Sequence, residues 1–110
     1  MLSYLRAAAD LDLTITVPAP VVAQAWRSPR QARVARLLAA CVIEETGESL
    51  ARQAGKLLGD SGRADAIDAI VVISAARRAP GETILTGDPD DLAALASYVP
   101  SPTRPAISRV

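Results

Sequence analysis

Residues 66–76, Ala-Ile-Asp-Ala-Ile-Val-Val-Ile-Ser-Ala-Ala, carry a single charge. A helix so apolar on every side has to be buried, and a chain of 110 residues can build only one modest core to bury it in. Two carboxylates, Asp65 and Asp68, stand at the head of this helix. A second acidic run follows, Thr83-Ile-Leu-Thr-Gly-Asp88-Pro-Asp-Asp91. It sets carboxylates just past a short apolar strand, where open α/β sheets place their ligand sites. Two carboxylates about 4 Å apart repel by about 4 kcal/mol at an effective dielectric of about 20. A bound divalent cation is the usual reason such an arrangement survives.

The residue types that are missing narrow the chemistry. There is no histidine, which excludes imidazole bases, His-based triads and His-ligated zinc. Cys41 is the only cysteine and is flanked by Ala40, Val42 and Ile43. Disulfide scaffolds and Cys-rich metal sites are therefore excluded, and Cys41 reads as a small buried hydrophobe. Oxygen ligands remain, and they select Mg²⁺ or Mn²⁺. Half of the residues are hydrophobic, yet there is no phenylalanine. The core must then be built from Ala, Val, Leu and Ile, as suits helices packed on a small sheet. Basic and acidic residues balance at 12 each, so any attraction to nucleic acid has to come from a local patch. No apolar run reaches membrane-spanning length and no secretory signal is recognisable, which makes the cytoplasm the expected address and excludes a membrane partner.

Along the chain, strands and helices alternate. Leu2–Ala9 has helical composition. Leu13–Val17 alternates as a strand does, with Leu13, Ile15 and Val17 on one face. Pro18 and Pro20 open a short helix through Trp26. Ser28-Pro29 reads as a cap and first-turn proline for a helix over Arg30–Ala40, followed by a short buried strand over Cys41–Ile43. Leu50, Ala54, Leu57 and Leu58 fall at helical spacing, and the stretch from Gly59 to Gly62 ends that element. The buried helix spans Ala64–Arg78, Thr83–Thr86 is a strand, and Asp88-Pro89 caps a helix to about Tyr98. A proline-rich tail leads to an edge strand over Ala106–Val110. This order predicts an α/β sandwich with a mainly parallel sheet.

Each acidic motif has two readings at this level. Asp65 and Asp68 share a helix face and satisfy the rules for an N-cap and a third helical residue. The company of Ile70–Ile73 favours a cation-facing role for Asp68. Asp88, Pro89 and Asp91 satisfy the helix-start rules equally well, so Asp88 is expected to cap whether or not it also binds metal. Arg27, Arg30, Arg33 and Arg36 recur every third residue. They form either a solvated face or a phosphate-contacting ridge. Arg63, Arg77 and Arg78 lie nearer the acids.

Three segments carry a resemblance: Val17-Pro-Ala-Pro-Val-Val-Ala-Gln-Ala-Trp26, Asp68-Ala-Ile-Val-Val-Ile-Ser-Ala-Ala76 and Ile84-Leu-Thr-Gly-Asp88-Pro-Asp-Asp91. Through them, and through its element order, the chain resembles a PIN domain, most closely the VapC-type toxins of bacterial toxin–antitoxin pairs. The resemblance implies a three-layer α/β/α sandwich forming one domain over residues 1–110. It further implies an endoribonuclease dependent on Mg²⁺ or Mn²⁺, acting on RNA, partnered by a cognate antitoxin and forming a homodimer. Carried over by position, Asp68 and Asp88 are catalytic and metal-binding, and Asp65 is an accessory metal candidate. Gln24 stands where many family members carry a glutamate, offering an amide oxygen without charge. PIN domains open with a central strand ending in aspartate, whereas Met1 stands inside what resembles the following helix. The expectation is a chain lacking that strand and its acid, with Met1 internal to a longer parent. The alternative function is a non-catalytic PIN-like binding module acting through dimerisation or antitoxin contact. A third reading is an α/β domain whose acids only cap helices.

Overall fold

The computed structural model describes residues 10, 11, 13–28 and 30–110. The helix expected over Leu2–Ala9 lies outside them, as does Pro29. The protein is mixed α/β with short parallel strand pairs, arranged in two compact units, Met1–Thr46 and Gly47–Val110.

In the first unit, β1 (Thr16–Pro18) is followed by α1 (Ala19–Ala25), α2 (Ala32–Ala39) and β2 (Val42–Glu44). The two strands are parallel, with Thr16 opposite Val42 and Pro18 opposite Glu44. Pro18 occupies the N-cap of α1, and Pro20, needing no amide partner in a first turn, lies just inside it. The helix ends at Trp26, and the Arg27 guanidinium closes that end, its Nη1 donating to the carbonyls of Ala23 at 2.7 Å and Trp26 at 3.1 Å. Here the expected starts and depths shift. Helix α2 begins at Ala32, not Arg30, with Gln31 at its N-cap. Ser28 spends its hydroxyl within the turn, accepting from the Arg30 N–H at 3.1 Å, which leaves no cap to offer a helix. The second strand lies one residue later than expected and is not buried: Val42 is 52% and Ile43 43% exposed. A pair of three-residue strands shields little of itself. Cys41 is half-buried, its thiol donating to the Leu37 carbonyl at 3.2 Å, and burial pushes its pKa up.

The second unit holds the core. It comprises α3 (Glu48–Ser61), α4 (Ala66–Arg78), β3 (Thr83–Thr86), α5 (Pro89–Ala96), a 3₁₀ turn (Ser101–Thr103) and β4 (Ala106–Arg109). Leu50, Ala54 and Leu57 give α3 its buried stripe at helical spacing. Gly62 stops it, taking the left-handed conformation (φ 71°) while its N–H returns to the Leu58 carbonyl at 2.9 Å. Helix α4 packs against α3, α5 and β3; its Ala69 and Val72 are fully buried, as its apolar composition demands. Leu92, Leu95 and Ala96 of α5, with Ile84 and Val99, complete the cluster. Arg104 closes α5 at its far end, where Nε and Nη2 donate to the carbonyls of Ala96, Ser97 and Val99. Strand β4 lies parallel to β3, Thr83 facing Ala106 and Thr86 facing Arg109. The described strands form two parallel pairs, β1–β2 in the first unit and β3–β4 in the second. Among the described residues, no helix is long and apolar enough to cross a membrane.

Candidate functional site

Two helix starts in the second unit set the acids. Asp65 is the N-cap of α4: its backbone is extended, and its Oδ1 accepts the N–H of Asp68 at 3.0 Å. Asp68 is thereby fixed as the third helical residue, its own carboxylate free of the capping task. At the second start, the Asp88 N–H donates to Thr86 Oγ1 at 3.0 Å, tying the residue to the end of β3. Asp88 holds the N-cap position of α5, but its side chain makes no capping bond, contrary to expectation. The neighbouring Asp91 carboxyl raises the pKa of Asp88, first as a partner for its protonated form and then through its charge. The Asp91 backbone N–H opposes the rise without reaching capping geometry.

The two starts share one electrostatic neighbourhood. Asp68 is pushed above the usual carboxylate range first by burial, then by the charges of Asp65, Asp91 and Asp88. A cleft of about 260 Å³ opens between Arg63, Ala64, Asp65, Asp68, Asp91 and Leu95. Arg63 Nη1 pairs with Asp91 Oδ1 at 3.1 Å across its mouth. Both side chains are substantially exposed, so the pair contributes at most about 1 kcal/mol. Leu95, 1% exposed, forms the apolar wall and ties the cleft to the core.

Of the sequence candidates, Asp65 and Asp68 line the cleft, and Asp88 stands outside its lining while its charge reaches Asp68. Gln24 is an exposed residue of α1 in the first unit. Asp91 and Arg63 join the cleft without having been expected to lead it. The signal for Asp91 was its three-residue spacing from Asp88, which sequence reasoning had assigned to the helix start. A larger cavity of about 310 Å³, bordered by Leu57, Ile73, Tyr98 and Val99, contains none of these four acids.

The donor set is purely carboxylate oxygen, the chemistry suited to Mg²⁺ or Mn²⁺. Among the described residues, no three of the Asp, Glu or Cys side chains are grouped closely enough to hold a metal ion. Asp65 commits Oδ1 to an amide and Asp91 commits Oδ1 to Arg63. Such a set fits an ion held by one or two carboxylates with water and substrate phosphate, as Mg²⁺ commonly is, and does not fit an all-protein cage. Comparison with protein-family models, with curated proteins and with solved structures finds no match to this chain.

Proposed function

We propose that this chain is a PIN-like domain of the VapC ribonuclease type, a three-layer α/β/α fold that hydrolyses RNA with Mg²⁺ or Mn²⁺. The observation that carries this reading is that acids from two helix starts, Asp65 and Asp68 from one and Asp91 from the other, line a single cleft, where burial and neighbouring charges raise the Asp68 pKa. Structural carboxylates are ordinarily spaced to avoid such repulsion, and sites of chemistry are where it is tolerated.

In this reading Asp68 and Asp88 hold the ion, and Asp65 orients Asp68 by fixing the first turn of α4. A divalent ion bound there supplies Lewis-acid polarisation of a phosphoryl oxygen and a nucleophilic water near neutral pH. Arg63 balances Asp91 at the mouth and presents a guanidinium of the kind that receives phosphate oxygens. Leu95 keeps one wall dry. A cognate antitoxin and a second copy of the chain are the partners that belong to this proposal.

The test is incubation of purified protein with end-labelled RNA in Mg²⁺, in Mn²⁺ and in EDTA. Metal-dependent cleavage lost in D68N and D88N supports the reading; equal cleavage by wild type and both variants defeats it. The lack of a three-acid group among the described residues favours one second reading, a non-catalytic PIN-like module acting through dimerisation or antitoxin contact. That reading expects no cleavage under any metal, together with a dimer mass by light scattering.

A further inference from the structure

Between Asp12 and Glu44 the chain carries four arginines, no lysine and no acid. The charges are thus segregated in a protein that is neutral as a whole. Arg27, Arg30, Arg33 and Arg36 are all exposed, and none is salt-bridged to a carboxylate among the described residues. The turn that bears the first two is organised. Gln31 Oε1 accepts from the backbone N–H groups of Arg27 and Ser28, and Ser28 Oγ accepts from that of Arg30. Arg33 and Arg36 follow on α2 at three-residue spacing, which places their Cβ atoms about 5–6 Å apart on one face. Arg27 spends Nη1 on the carbonyls of Ala23 and Trp26, whereas the guanidinium groups of Arg30, Arg33 and Arg36 have no carboxylate partner among the described residues, and such forked donors match phosphate oxygens.

We infer that Arg30, Arg33 and Arg36, with Arg27 at the preceding turn, bind the phosphate backbone of a single-stranded RNA. The choice of RNA rests on the ribonuclease reading above and on Trp26, next to Arg27 in the chain and 37% exposed, an aromatic side chain of the type on which a base stacks. A lipid surface fits less well, because the apolar residues of α2, Val34, Leu37 and Leu38, are partly buried in the fold. Binding through this row is sequence-tolerant and needs no metal.

The experiment is fluorescence anisotropy with a 5′-fluorescein 20-mer of uridylate, in EDTA, over a series of KCl concentrations. The wild type should bind with an affinity that falls linearly in log–log form with salt. R33Q/R36Q should reduce the slope by about 1.4, from about 0.7 per phosphate contact, and R33K/R36K should retain it. R52Q, which removes an arginine already paired to Glu48 at 3.1 Å, should bind as wild type. Circular dichroism of each variant verifies the fold. No binding by the wild type at 50 mM KCl, or an unchanged slope in R33Q/R36Q, overturns the inference. So does equal binding to vesicles of anionic phosphatidylglycerol. Because the measurement excludes metal, loss of the nuclease reading in the cleavage assay leaves its outcome distinct.

Discussion

Asp65 Oδ1 accepts the backbone N–H of Asp68 at 3.0 Å, so one candidate acid builds the local structure that frees the other. The same residue therefore acts on stability in opposite directions, through a cap that stabilises and a charge that repels Asp68. Asp65→Ala should cost about 1 kcal/mol, the typical worth of an N-cap. Asp65→Ser keeps a capping oxygen and removes the charge, so it should unfold at a urea concentration equal to or above that of wild type. Urea curves of both variants decide it, and equal losses would mean that the cap contributes little.

The raised pKa of Asp68 fixes the sign of a pH effect. Between the ordinary aspartate value of about 3.9 and the higher native value, the folded protein binds more protons at this group than the unfolded chain does. The contribution of this group to unfolding free energy then falls as pH rises through that window. Asp68→Asn removes the term and should stabilise the protein above the window, most visibly near neutral pH. Thermal melts from pH 3.5 to 7 should show a flatter profile for D68N, whereas a parallel profile would mean that Asp68 titrates normally.

The Asp88–Asp91 contact gives a residue-specific version of the same test. Asp88 is raised chiefly by the Asp91 carboxyl as a partner for its protonated form and then by the Asp91 charge. Asp91→Ala removes both, and the carboxyl carbon of Asp88, followed by NMR, should titrate at lower pH than in wild type. An unshifted or upward-moved Asp88 would show that the two carboxyls do not interact in solution.

Legibility in the sequence followed the range of the interactions. Helix α4, strand β3 and the start of α5 were readable because local signals agree: an apolar run, a short β-branched strand, and Asp88-Pro89 at a helix start. The edge strand near Ala106 was also readable, but its parallel pairing with β3 was not, because pairing depends on contacts distant in sequence. Strand β2 was expected buried from Cys41-Val-Ile, yet hydrophobicity specifies preference for a core and not whether a core reaches it. At the site, Asp65 behaved as its spacing required. Asp88 did not: it takes the N-cap position without a side-chain capping bond, and the Asp91 carboxyl, one turn away, raises its pKa. The part played by Arg63 was hidden, since its partner Asp91 is 28 residues away.

Leu95 joins the core to the cleft, and its loss should affect both. It is 1% exposed within the cluster of α4 and α5, so Leu95→Ala should cost about 2–5 kcal/mol, depending on how far the cavity collapses. Denaturant unfolding gives the value. A cost under 1 kcal/mol would show that this helix is not packed as described.

Metal affinity is the most demanding expectation, because the acids both attract a cation and are partly committed elsewhere. Oδ1 of Asp65 serves the backbone and Oδ1 of Asp91 serves Arg63, and no three acids among the described residues are grouped closely enough to hold a metal ion. An ion must then rely on one or two carboxylates and retain most of its water. Binding should be weak in the absence of RNA, with a dissociation constant of about 1 mM or higher. At 1 mM affinity, 10 mM Mg²⁺ stabilises the fold by only about 1.4 kcal/mol. D68N should abolish the shift, since it removes the cleft carboxylate with neither oxygen committed. Arg63→Gln should strengthen it by freeing Asp91 and removing a positive charge. Titration calorimetry and thermal melts in MgCl₂ and MnCl₂ measure these effects. Micromolar binding by wild type would overturn the expectation of a weak site and mean that Asp65 or Asp91 completes it, and a shift that survives D68N would place the ion elsewhere and remove Asp68 from the candidate site.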